Sequence, residues 1–110
     1  MEYSIKGNLL KNLPDDASEE LLNIVYQHKN IRIEQIISSG QTSPEMGWYD
    51  QSENEWVLLL QGNAQIEFED SGVVTLGTGD YLLIGARRKH KVVFTSKKPD
   101  CVWLAIFFGD

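Results

Sequence analysis

The segment GWYDQSENEWVLLLQGNAQIEF, residues 47–68, decides how this chain is read. In its centre, EWVLLL, Glu55, Val57 and Leu59 share one strand face and Trp56, Leu58 and Leu60 share the other, because successive strand side chains point to opposite sides. Both faces call for burial. After the turn formers Gln61-Gly62-Asn63, the run QIEFE alternates, with Ile66 and Phe68 inward and Gln65, Glu67 and Glu69 toward water. Stepping back from Glu55 by twos gives Glu53, Gln51 and Tyr49, which an uninterrupted strand directs to the same side. A carboxylate facing a closed interior is costly unless paired, hydrogen-bonded or bound to a metal, so Glu55 marks the first candidate site.

Outward from this segment the chain reads as short strands divided by turns. The expected strands are 31–37, 46–51, 55–61, 64–69, 73–76, 81–85, 91–96 and 101–108. The dividers include Ser38-Ser39-Gly40, Asp70-Ser71-Gly72, Gly77-Thr78-Gly79-Asp80 and Lys97-Lys98-Pro99-Asp100. About eight short strands at regular spacing imply an all-β sandwich or closed barrel. IRIEQII, residues 31–37, alternates as a strand half exposed to solvent would. Before it, an acidic start followed by ASEELL predicts a short helix near 17–22. The chain therefore divides into an N-terminal extension with a short helix, 1–30, and a β-barrel domain, 31–110.

Several function classes are excluded or disfavoured. The longest apolar run, 101–108, falls far short of the roughly 20 residues of a membrane span. The first ten residues lack the pattern of a secretion signal, and the single cysteine, Cys101, rules out an internal disulfide; both point to the cytoplasm. A formal charge of −6 repels a phosphate backbone, so nucleic acid is not an expected partner. The strand CVWLAIFF, residues 101–108, is apolar on both faces, as is EWVLLL. A chain of this length has little to cover two such strands, which predicts a homodimer.

The second half contributes GDYLLIGARRKHKVVF, in which His90 opens a strand with Val92 and Phe94 in its own phase, facing inward. Together these residues resemble the cupin family, whose fold is a double-stranded β-helix (jelly-roll) barrel. Glu55 and Gly62 match the last two positions of the family's first motif, and Gly79 and His90 match the first and last of its second. The two histidine positions of the first motif fall on Tyr49 and Gln51, or on Trp48 and Asp50, depending on the gap chosen. Gly85 and Arg87 stand at the second motif's proline and second-glycine positions, and Phe94 where an asparagine is usual. The resemblance implies a metal set drawn from Tyr49, Gln51, Glu55 and His90, holding a divalent transition metal such as Fe, Mn, Ni or Zn. Gln51 and Tyr49 are poorer ligands than imidazole, so the alternative is a hydrogen-bonded group with no metal. Trp48, Asp50, Arg87 and Arg88 are candidate ligand-binding residues, the arginines at a rim that would favour an acidic ligand. The implied function is binding of a small organic ligand, or, as the alternative, metal-dependent catalysis as an oxygenase or isomerase.

Overall fold

The computed structural model describes residues 4, 6–14 and 18–109. Its eight strands are β1 (Leu21–His28), β2 (Ile31–Ser38), β3 (Asn54–Gln61), β4 (Ala64–Phe68), β5 (Gly72–Leu76), β6 (Tyr81–Ile84), β7 (His90–Thr95) and β8 (Cys101–Phe108). They form a five-stranded sheet, β1-β2-β8-β3-β6, and a three-stranded sheet, β5-β4-β7, with every pairing antiparallel. The architecture is all-β.

The alternation in β3 and β4 builds the core. Val57 and Leu59 of β3 meet Ile66 and Phe68 of β4 inside the barrel, in a cluster that also takes in Ile84 of β6 and Trp103 of β8. Leu59 is fully excluded from water. Trp56, Leu58 and Leu60 face the other way and remain half-buried. On that outer face the chain before β1 crosses β2, where Gln35 Nε2 donates to the Leu9 carbonyl at 2.7 Å. Further along the sheet, Tyr81 and Leu83 of β6 are largely exposed.

Four expectations need correction. No helix occurs among the described residues: Ala17 lies outside them, and Leu21 already begins β1, whose residues pair with β2 instead. Its Ile24, Val25 and Tyr26 belong to types that suit a pleated strand better than a helix. Residues 46–51 form no continuous strand. The segment between β2 and β3 instead touches the free edge of β7 through isolated bridges, Ser43 with Val92 and Tyr49 with His90. Phe94 points outward, because the β4–β7 register shifts between Gln65 and Ile66 and reverses the strand's phase after Val92, turning Thr95 inward instead. Finally, the charged members of β2 are the inward ones. Arg32 and Glu34 pair with Phe107 and Ala105 on the interior face, while Ile31 and Ile33 pair with Phe108 and Ile106 outside.

Gly62 closes the β3–β4 hairpin at φ 101°, a conformation that side chains rarely adopt. A Cβ there would stand 2.9 Å from Cys101 Sγ and 3.0 Å from the Asp100 carbonyl oxygen. Gly62→Ala is expected to destabilise the fold by more than about 1 kcal/mol, read as a lowered midpoint in denaturant unfolding with an unchanged slope.

Candidate functional site

The interior of the barrel holds a cavity of about 240 Å³. Its apolar wall includes Val57, Ile66, Ile84, Val92 and Trp103. Glu55 enters from β3 and His90 from the first position of β7, brought opposite each other because Phe68 pairs with His90 while β3 packs across the core. His90 Nε2 lies 3.5 Å from Glu55 Oε1. The other ring nitrogen, Nδ1, is 2.8 Å from the Arg88 carbonyl oxygen, which can only accept, so Nδ1 carries a proton and Nε2 is directed at the carboxylate. Gln51 Nε2 donates to the same Glu55 oxygen at 3.2 Å. The Tyr49 ring lies 5.5 Å from the imidazole, and the Phe68 ring 6.0 Å from it.

Backbone bonds fix this group. Tyr49 N–H donates to the His90 carbonyl at 2.8 Å, and His90 N–H returns a bond to Tyr49 at 3.2 Å. Arg87 N–H donates to the Gln51 carbonyl at 2.7 Å. The loop thus acts as a short extra strand on β7 and carries Tyr49 and Gln51 to the cavity.

Burial holds the Tyr49 phenol above its ordinary pKa, reinforced by the charges of Glu20 and Glu55 and opposed by a hydrogen bond with Ser43, so Tyr49 stays protonated at neutral pH. Burial alone would lower the His90 pKa. The hydrogen bond to Glu55, the Arg88 carbonyl and the charge of Glu55 outweigh burial and the repulsion of Arg88, and hold it above 6.5.

A second polar group lines the same cavity, and the sequence pattern concealed it. Arg32 Nε donates to Glu34 Oε2 at 2.5 Å, and its two terminal nitrogens donate to the two oxygens of Glu53 at 3.1 Å each. The guanidinium lies 4.4 Å from the centre of the Phe107 ring. Glu34 is only 5% exposed. The signal available was an arginine and a glutamate two apart on one strand face, a spacing at which each offsets the other's burial. Glu20, which accepts from Ser38 Oγ at 3.0 Å, and Ser43 also line the cavity.

Of the residues singled out from sequence, Tyr49, Gln51, Glu55 and His90 line the cavity together. Trp48, Asp50, Arg87 and Arg88 do not. Arg87 pairs with Asp50 at 3.2 Å, Arg88 pairs with Asp70 at 3.2 Å and lies over Phe68, and Trp48 carries the Lys91 ammonium on its ring. The donors present do not fit a tightly held divalent metal. Among the described residues no group of three or more His, Cys, Asp or Glu side chains is arranged to hold one. Beyond Glu55 and His90 the set offers only an amide, whose NH₂ is turned to Glu55, and a protonated phenol.

The family model of the cupin domain matches residues 34–107. The chain is a cupin. A crystal structure from Ralstonia eutropha, of a protein provisionally assigned as a mannose-6-phosphate isomerase, shares 36% identity, with a TM-score of 0.91 over 97% of this chain and 100% of that one. A cupin superfamily protein of Desulfitobacterium hafniense superposes at TM-score 0.72 with 21% identity, over 89% of this cupin and 84% of the other. An RmlC-like cupin of Desulfovibrio desulfuricans superposes at 0.76 with 18% identity, over 96% and 97%. The last two establish the fold alone. No curated protein matches the sequence. No helix among the described residues is long and apolar enough to cross a membrane.

The raised His90 pKa has a definite sign in stability. The charged imidazole is favoured in the folded state, so its contribution is fully present below the unfolded value and is lost as pH rises through the folded one. Imidazole resonances followed by NMR should place the His90 midpoint above 6.5. In Glu55→Gln burial remains while the partner's charge is gone, so the midpoint should fall below the wild-type value.

Proposed function

We propose that this cupin binds a small organic ligand in its barrel cavity, held directly by Glu55, His90 and Tyr49 rather than through a resident metal ion. The observation that carries this reading is the Glu55–His90 pair, 3.5 Å apart, on the wall of a cavity of about 240 Å³. That volume suits a compact molecule, and the apolar wall with a few convergent polar groups is the usual character of a small-molecule site. A location in the cytoplasm is part of the same proposal, in keeping with the lone buried thiol of Cys101.

The enzymatic alternative draws on the 36% identical protein provisionally assigned as a mannose-6-phosphate isomerase. It also draws on the chemistry at hand: a protonated phenol and an imidazole whose rings are 5.5 Å apart can supply an acid and a base to one bound molecule. Incubation with mannose 6-phosphate, followed by NMR for the ketose product, separates the readings: turnover establishes the enzyme, and its absence with retained ligand binding favours the binding protein.

Metal analysis of protein purified without chelator or immobilised metal tests the direct reading, for which sub-stoichiometric metal is the expected result and a stoichiometric ion would overturn it. Tyr49→His together with Gln51→His should then raise affinity for a divalent ion by at least about 100-fold, since two poor ligands become good ones beside Glu55 and His90. Adding Glu55→Ala should abolish that gain.

The proposal includes a homodimer formed through the outer face of the five-stranded sheet. Trp56 and Tyr81, with ring centres 5.7 Å apart, adjoin the exposed Leu83, and Leu104 and Ile106 continue the apolar surface on β8. Light scattering at micromolar concentration should return twice the 12.5 kDa chain mass, and Leu83→Glu should shift it to the monomer.

A further inference from the structure

The cavity's charge is unbalanced. Glu20, Glu34 and Glu55 line it, and Glu53 stands behind Arg32. Against these four carboxylates the described residues of the lining offer two cationic groups, Arg32 and His90. Even with His90 protonated, two negative charges remain in excess. The arginine is moreover committed. Three of its nitrogens donate to Glu34 and Glu53, and its flat face lies on Phe107, so an acidic ligand would have to displace a bidentate pair to reach it. Among the described residues no other cation lines the cavity. Arg87 and Arg88 are turned to Asp50 and Asp70, and Lys91 lies over Trp48, none of them in the cavity lining.

The unmet charge sits beside apolar and aromatic surface. Tyr49, Trp103 and Phe107 contribute rings to the wall; Glu34 meets Arg32 through Oε2 and Glu55 meets His90 and Gln51 through Oε1, and both residues are deeply buried, where water screens the group's excess charge poorly. Resting on the reading that this cavity takes an organic ligand, we infer that it selects a compact organic cation, an ammonium group on a short apolar or aromatic body, over neutral and acidic molecules of the same shape. The ammonium would donate to the carboxylates of Glu55 and Glu34, and the body would lie against Val57, Ile66 and Trp103. The positive charge that the imidazole-poor donor set cannot hold as a metal ion is thus supplied by the ligand itself.

Benzylamine, benzyl alcohol and benzoate test this, since they share a ring and differ in the charge of the head group. Titration calorimetry of each against the intact protein at neutral pH, with a chelator present, should give benzylammonium at least tenfold tighter than the alcohol, and benzoate weaker than both. Benzyl alcohol or benzoate binding as tightly as the amine would overturn the cation preference while leaving cavity binding in place. No binding by any of the three would overturn the cavity reading as well. Glu34→Gln keeps the side chain's shape and removes its charge, and should weaken the amine at least fivefold while changing the alcohol less than twofold. An equal loss for both would overturn the assignment of Glu34 as the charge that selects.

Discussion

Glu55 stands on the buried face of a core strand, between solvent-excluded neighbours, and an ionised carboxylate there must be compensated or the barrel cannot close around it. Removing water from such a group costs several kcal/mol, and only close, well-placed partners return that energy. Glu55 has two, the imidazole of His90 and the amide of Gln51. Each partner imposes a further condition on the fold. His90 must be the first inward residue of β7, and its second nitrogen must be met by the Arg88 carbonyl. Gln51 must be delivered by a loop, and that loop is fixed by bonding its backbone to β7 and to Arg87. One desolvated charge therefore ties β3, β7 and the intervening loop into a single arrangement.

Much of this was legible in the chain because period-two patterning is a strong signal wherever one strand face is buried. β3 and β4 followed from the alternation of EWVLLL and QIEFE, and the hairpin between them from Gly62. Glu55 and His90 were found because each was a polar residue in phase with apolar neighbours. The same logic misread β2. The alternation of IRIEQII suits a strand half exposed to solvent, yet the sheet's outer face is itself apolar there, so Ile31 and Ile33 face outward and the charged pair turns in. Alternation fixes which residues share a face but not which face is inside. β1 was hidden because it lies at the sheet edge with most of its side chains exposed, leaving no buried stripe to detect. The outward turn of Phe94 depended on a register shift, which is a property of the pairing rather than of either strand.

Arg87 holds a conformation that glycine adopts most readily. In the resemblance to the cupin motifs it occupies a glycine position, and its φ of 66° lies in the left-handed region. That conformation costs an ordinary residue roughly 1 kcal/mol or more. Here the Arg87 side chain gains contacts that glycine could not make, donating to both the Asp50 carbonyl and the Asp50 carboxylate. The resulting ion pair joins the loop to the β6–β7 connection.

The loop on β7 also forms part of the cavity wall, through Ser43, Tyr49 and Gln51. Ser43 and Val92 exchange backbone bonds of 3.1 and 2.8 Å, and Tyr49 and His90 do the same, with unpaired residues between the two bridges. So few ladder bonds make a seam that opens more readily than the continuous pairings of β8 with β2 and β3. Opening it would carry Tyr49 away from the imidazole and take Ser43, Tyr49 and Gln51 out of the cavity wall. The amides of Tyr49, His90 and Val92 should then exchange with solvent deuterium as one cooperative unit, and an occupant of the cavity would slow all three together.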